Sequence, residues 1–391
     1  MKRTLITLAA LAVAATASAQ QTIGDVLQQV ELSSKELKAQ RELTDARKIE
    51  AKTGKFMANP TVEMENMWGG ADSHRNSELT ISQAIDFPSA YGARNQIARL
   101  QSSLYDSEGE TLRQQLLLDA KTLCIEIIHL NRQQELLAER LSNAERLDAV
   151  YRRKMASGDA NILECNKIGI ELIAARTASS LNESELRAKE QQLRTLMGGG
   201  EASFASLAYP AVGELPGLAQ LGDLYLGQDP MLRGIENERE INRRTVALNR
   251  SLSLPQFEVG YRHDFGGEGR FKGFKVGMSV PLFENKNKVK AAKAMVNSSD
   301  ARLESARENV SSELRQLYDQ AVALRGSMES MNRILQTQNN LPILNKALDA
   351  GQINVIEYFT EVSVLYQSRE TLLQVERDYQ LAVARLFRFE L

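Results

Sequence analysis

Three residue types are scarce in this chain of 391 residues, which has two Cys, three His and eight Pro. So few Cys and His cannot lay a disulfide framework or build a metal cluster of any size. Cys124 and Cys165 fall inside helical patterns at different heights and read as small buried hydrophobes. The shortage of Pro leaves room for long uninterrupted helices. A charge excess is missing too: Lys and Arg total 48 against 50 Asp and Glu, for a net charge of -2. A nucleic-acid-binding chain would be clearly basic, so nucleic acid is not an expected partner. No segment reaches 18 consecutive apolar residues, so no transmembrane helix is expected.

The signatures of catalysis are missing as well. There is no phosphate loop, no His-Glu-x-x-His and no nucleophile elbow. Gly266-Gly267-Glu268-Gly269 is too short and wrongly placed for nucleotide binding. His74 and His263 fall in or beside predicted loops and His129 falls mid-helix, so none reads as a ligand. Met64, Met67 and Met278 read as wall or packing residues rather than a soft-metal relay. The expectation is a protein with no enzymatic turnover, no cofactor and no bound metal.

What is there begins with an address. Residues 1–19 read as a secretory signal: Lys2 and Arg3 make the positive region, 5–15 is the apolar run, and Ala17-Ser18-Ala19 is an A-x-A cleavage site. An exported chain without a helical span is soluble outside the cytoplasm or crosses a membrane as a β-barrel.

The chain also repeats itself. Gly158-Asp159-Ala160-Asn161-Ile162-Leu163-Glu164 matches Gly351-Gln352-Ile353-Asn354-Val355-Ile356-Glu357 at an offset of 193. Asn59-Pro60 matches Leu254-Pro255 at 195, and Ile23-Gly24-Asp25 matches Leu221-Gly222-Asp223 at 198. Three matches in one order indicate a duplicated unit, 20–197 and 221–391, joined by a Gly- and Pro-rich linker at 198–220.

Each unit reads as helix, two strands, very long helix, glycine turn and return helix. In the first, the helices are expected over 23–55, 91–155 and 162–197, with strands over 61–68 and 78–85. In the second, helices are expected over 230–250, 286–349 and 355–389, with strands over 256–264 and 271–281. Apolar spacings of three, four and seven in the long helices predict a coiled-coil seam. At 1.5 Å per residue the longest would span on the order of 100 Å.

The strands alternate. Phe257, Val259 and Tyr261 alternate with Glu258, Gly260 and Arg262; Phe274, Val276 and Met278 alternate with Lys275 and Gly277. Leu79 and Ile81 alternate with Glu78, Thr80 and Ser82, and Val62, Met64 and Trp68 share a face with Asn66. This is the length and pattern of barrel strands that cross a bilayer, although a half-buried soluble strand looks the same locally. Four strands cannot close a membrane barrel, since common barrels start at about eight, but three copies would supply twelve.

At this point the sequence resembles the TolC-type outer-membrane factor family, the exit ducts of tripartite efflux pumps and type I secretion systems. The resemblance covers the mature chain. It rests on the duplicated unit, on Asn59-Pro60 leading into Glu63-Met64-Glu65-Asn66, on the paired turns at Gly158 and Gly351, and on Val280-Pro281-Leu282-Phe283 ahead of Glu284-Asn285-Lys286. Its compact length and its Asn-Pro…Glu-x-Glu-Asn strand look most like the branch serving heavy-metal and other cation efflux.

The resemblance implies a mainly α chain that contributes four strands to a trimeric transmembrane β-barrel, with long antiparallel coiled-coil helices forming a periplasmic tunnel. It implies a homotrimer in the outer membrane, in contact with its lipid, working with a periplasmic adaptor and an inner-membrane transporter of the RND class. It places a periplasmic gate at Glu357, with Thr360 and Glu361 where the family usually has a second acid. It seats adaptor hairpins around Ala156, Gly158, Asn161, Ala350, Gly351 and Asn354. A ring of carboxylates at a constriction would favour cations over anions. The other architecture weighed, a periplasmic adaptor or scaffold without a pore, usually carries one helical hairpin, and two full repeats argue against it.

Overall fold

The computed structural model describes residues 22–68, 75–200, 204, 206, 208–265, 270–337 and 340–391. The proposed signal segment, His74 and the Gly266–Gly269 run lie outside the described residues. The chain runs α1 (Ile23–Ser33), α2 (Lys35–Thr53), β1 (Thr61–Trp68), β2 (Arg75–Ile85), α3 (Pro88–Ser157) and α4 (Ile162–Leu196). It continues with α5 (Leu218–Gln228), α6 (Pro230–Ser251), β3 (Gln256–Asp264), β4 (Lys272–Ser279), α7 (Lys288–Thr337), α8 (Leu341–Asp349) and α9 (Val355–Leu386). The second half therefore follows the order of the first with one extra break, which is consistent with a duplicated unit.

Two expected helices are interrupted. The one predicted over 23–55 breaks at Ser34, whose hydroxyl accepts the Leu37 N–H and starts α2. The one predicted over 286–349 breaks between Thr337 and Leu341, with Pro342 in the first turn of α8. A proline there has no N–H to give to the preceding turn and its ring crowds the carbonyl four residues back. α5 starts at Leu218, within the last residues of the stretch read as the linker.

The chain divides into two compact units, each drawing on both halves of the sequence. One comprises residues through Ser33, Asp119–Ala211 and Leu324–Leu381. It is helical. Its core near the α3–α4 turn is a cluster of Leu147, Tyr151, Ile168, Leu341, Leu348, Val355, Tyr358, Val362 and Tyr366.

The other unit comprises Ser34–Leu118, Val212–Ala323 and Ala382–Leu391. On α7 the buried positions Ala292, Ser299, Leu303, Ala306, Val310, Leu314, Leu317 and Ala321 fall three, four and seven apart, the seam of a coiled coil. This unit also holds the sheet, in the order β1-β2-β3-β4 with every pair antiparallel. Ile81 stands opposite Val62 on one side and Tyr261 on the other, and Tyr261 opposite Phe274, so one face is apolar across all four strands. β1 and β4 are the two free edges.

Candidate functional site

Two features carry the functional argument: the sheet, and the paired helix turns of the helical unit.

A sheet in water buries its apolar face and shows its polar one. This sheet does the reverse. On β2 the polar residues Glu78, Thr80 and Ser82 are buried, while Ile81 is 41% exposed. On β4, Phe274 is 91% and Val276 79% exposed. The polar face is internally paired: Arg262 and Glu78 form an ion pair, Thr80 donates to Glu78 at 3.1 Å, and Lys275 donates to Glu258 at 3.2 Å. Gly260 is required by close packing, since a Cβ there would lie 2.7 Å from the Ile81 carbonyl oxygen. An outward apolar face with an ion-paired polar inner face is the arrangement of a strand between lipid and an aqueous lumen.

The turns match each other bond for bond. At the first, Gly158 takes φ +84° and donates to Met155 O at 3.2 Å, and the Asp159 N–H reaches Lys154 O at 2.7 Å. At the second, Gly351 takes φ +71° and donates to Leu348 O at 3.1 Å, and the Gln352 N–H reaches Ala347 O at 2.8 Å. Positive φ is the reason for glycine at both positions. Three residues on, each chain restarts a helix with the same reciprocal cap. The Glu164 N–H donates to Asn161 Oδ1 at 2.9 Å and the Asn161 N–H to the Glu164 carboxylate at 3.0 Å. Asn354 and Glu357 exchange the same two bonds, each 2.9 Å. This is a capping box at both α4 and α9.

The structure thus gives Glu357 a definite local job, shared with Glu164, which sequence reading did not single out. The signal was present as the repeated Asn-x-x-Glu. Thr360 donates its hydroxyl to Ile356 O at 2.9 Å. Glu357, Thr360 and Glu361 share the exposed face of α9, because positions three and four apart lie together on a helix. Ala156, Gly158, Asn161, Ala350, Gly351 and Asn354 are all exposed. Ala160 and Ile353, one from each turn, pack against the same core cluster, so the two tips are neighbours.

Beneath the second tip lies a polar network that no sequence pattern announces. Asn143 donates to the Tyr358 hydroxyl at 2.7 Å, and that hydroxyl donates to Asn345 at 2.7 Å. Arg146 donates to Asn345 at 2.9 Å and reaches Asp349 at 3.3 Å. These bonds tie α8 and α9 to α3. Burial raises the Tyr358 pKa, so its hydroxyl stays protonated as a donor. Beside it a groove of about 310 Å³ is lined by Arg140, Lys167, Glu171, Phe359, Thr360 and Tyr366, among others. Arg140 pairs with Glu171 at 2.7 Å and lies over the Tyr366 ring.

His129 is buried on α3, and its Nδ1 has no hydrogen-bond partner among the described residues. Burial first, and then the nearby Arg377 charge, push its pKa down to about 4. Among the described residues no group of three or more His, Cys, Asp or Glu could hold a metal ion, and no helix is long and apolar enough to cross a membrane.

Comparison with known proteins agrees with this geometry. Residues 221–389 match the family model described as outer membrane efflux protein. None of the curated proteins matches the chain. Among solved structures, the fold is similar to the channel-forming CusC, at 14% identity and TM-score 0.77, covering 94% of this chain and 91% of that one. It is similar to the outer membrane protein VceC of Vibrio cholerae, at 13% identity and TM-score 0.73, covering 94% of each chain. It is also similar to the open state of the MtrE outer membrane channel of Neisseria gonorrhoeae, at 11% identity and TM-score 0.75, covering 94% and 88%. The fold is the one these outer-membrane channels share, and residues 221–389 match the outer membrane efflux protein model.

Proposed function

We propose that this TolC-type fold serves as an outer-membrane exit duct of a tripartite efflux pump, conducting substrates passively from the periplasm to the exterior. The observation that carries the reading is the inverted sheet: an apolar outer face, an ion-paired inner face and two unpaired edges. A periplasmic scaffold would have to keep that apolar face in water, so the pore-free alternative has nothing in its favour. Three copies, each pairing β1 with β4 of its neighbour, would close twelve strands without a free edge. Energy comes from an inner-membrane transporter, of the RND class by resemblance, and the duct itself turns over no substrate. Weak contacts suit conduction, since cargo must leave as readily as it enters. The cargo class favoured by resemblance is metal cations or drugs.

The exposed tips at Ala156, Gly158, Asn161, Ala350, Gly351 and Asn354 offer the seat for a periplasmic adaptor. Glu357, Thr360 and Glu361, on the exposed side of α9, are the gate residues in this reading. The same boundaries, 20–197 and 221–391 with the linker between them, describe the two repeats.

Reconstitution into planar bilayers tests the duct. The expected result is a cation-preferring single-channel conductance, and a protein that never conducts overturns the reading. Glu357→Gln separates gate from cap, because glutamine can keep the reciprocal cap while removing the charge. Cation preference should fall in Glu357→Gln and stay unchanged in Glu164→Gln. Equal effects would assign both acids to capping alone.

A further inference from the structure

The two strand-to-helix connections differ, and the difference points to a lipid. In the first half, β2 passes to α3 through Asp86 and Phe87, and Asp86 pairs with Arg94 at 2.6 Å. In the second half, β4 and α7 are separated by residues 280–287. That longer connection is a built series of turns. Leu282 donates to Val280 O at 2.9 Å, Lys286 to Phe283 O at 3.2 Å and Lys288 to Asn285 O at 3.2 Å. Asn287 takes φ 67°, and the Asn285 side chain is tied to the Leu252 carbonyl. These turns hold Leu282 and Phe283 outward, 72% and 83% exposed.

The register places a second apolar pair at the same end of the sheet. Thr61 opens β1 opposite Ser82 near the end of β2, and Gln256 opens β3 opposite Ser279 at the end of β4. Phe56 and Met57, just before β1, are 67% and 56% exposed. Next to this apolar rim stand Lys286, Lys288, Lys290 and Lys293, with Glu284 the only acid from 280 to 299. Lys55 lies over the Phe56 ring. The first turn of α7 holds no acid, although the helix dipole would favour one there, so helix stability does not explain the lysines.

We propose that this rim recognises anionic phospholipid headgroups of the periplasm-facing leaflet, with Phe283 and Leu282 at the acyl boundary and the lysines on the phosphates. The proposal rests on the membrane-barrel reading above. Long lysine stems can lie along apolar surface and carry the charge to the headgroup plane. Basic residues beside a membrane attract anionic lipid additively, and aromatic side chains settle at the interface.

The test inserts the full protein into vesicles of phosphatidylethanolamine mixed with about one third phosphatidylglycerol, a strongly anionic surface. The lipids retained after gentle solubilisation are then counted by mass spectrometry. Wild type should retain phosphatidylglycerol well above its bulk fraction. The triple variant Lys286→Gln, Lys288→Gln, Lys290→Gln should retain phosphatidylglycerol at close to its bulk fraction. Lys35→Gln with Lys38→Gln, on α2, should keep it. If the triple variant does not assemble, wild type in rising salt decides, because the enrichment should collapse as the charges are screened. Insertion without enrichment, enrichment that survives the lysine changes, or enrichment indifferent to salt overturns the proposal and leaves the duct standing. A wild type that does not insert overturns both.

Discussion

The two helix tips of the helical unit share one turn and differ in what stands behind it. The first tip ends α3, a single helix of 70 residues. The second ends α8, nine residues long and cut off from α7 upstream. Both turns use a left-handed glycine and an Asn–Glu capping box, so local chemistry does not distinguish them. The first tip inherits its position from a continuous helix. The second is held by side chains, through Tyr358, Asn143, Asn345 and Arg146. A segment tied down by a few side-chain bonds can be released by altering them, which suits the gate proposed for α9 better than one at α4.

The largest effect should come from emptying the anchor. Tyr358 is fully buried, so Tyr358→Ala should cost about 3–5 kcal/mol of local stability. Hydrogen exchange should then speed up more across 341–366 than across 162–180. Tyr358→Phe removes only the shared hydroxyl and should cost about 1–2 kcal/mol at the same amides. If the first tip loosened equally, the difference in anchorage would be wrong.

Gly351→Ala and Gly158→Ala come next. A Cβ at either would meet nothing within 4 Å, so the cost is that of the backbone alone, about 1–2 kcal/mol at each. Matching losses would confirm equivalent turns. Asn354→Ala and Asn161→Ala should each cost about 1 kcal/mol, again in parallel, by exchange at the first turns of α9 and α4.

A separate effect concerns pH, and it falls on α3. The folded pKa of His129 lies below its ordinary 6.5, at about 4. The unfolded chain therefore takes up the proton first as pH falls, and stability declines from about pH 6.5 to about pH 4 before levelling. His129→Leu should flatten that part of the stability profile. A profile that keeps its slope would assign the pH dependence to other groups.

Much of this was legible in the sequence, for identifiable reasons. Strand alternation set the faces of β1 to β4, and the repeated Gly-x-x-Asn-x-x-Glu located both tips. The interruptions were harder to read. Val26, Val30, Leu37 and Thr44 continue a helical seam straight through Ser34, so periodicity hides the cap. Ala321, Leu341 and Leu348 likewise carry buried positions on both sides of the break before Pro342. The Asn-x-x-Glu pattern was visible, yet its role as a cap depends on reading both copies together. The network around Tyr358 joins residues about 200 apart in sequence, and no local pattern encodes such pairs.

The central claim is that three copies close one barrel by joining β1 of each to β4 of the next. Met64 and Val276 sit on opposite free edges of the sheet, both on the exposed apolar face. In a Cys165→Ser background, Met64→Cys with Val276→Cys, treated in membranes with a short flexible bis-maleimide, should yield covalent trimers and nothing larger. Monomers alone, or a ladder that runs past three, would contradict the account.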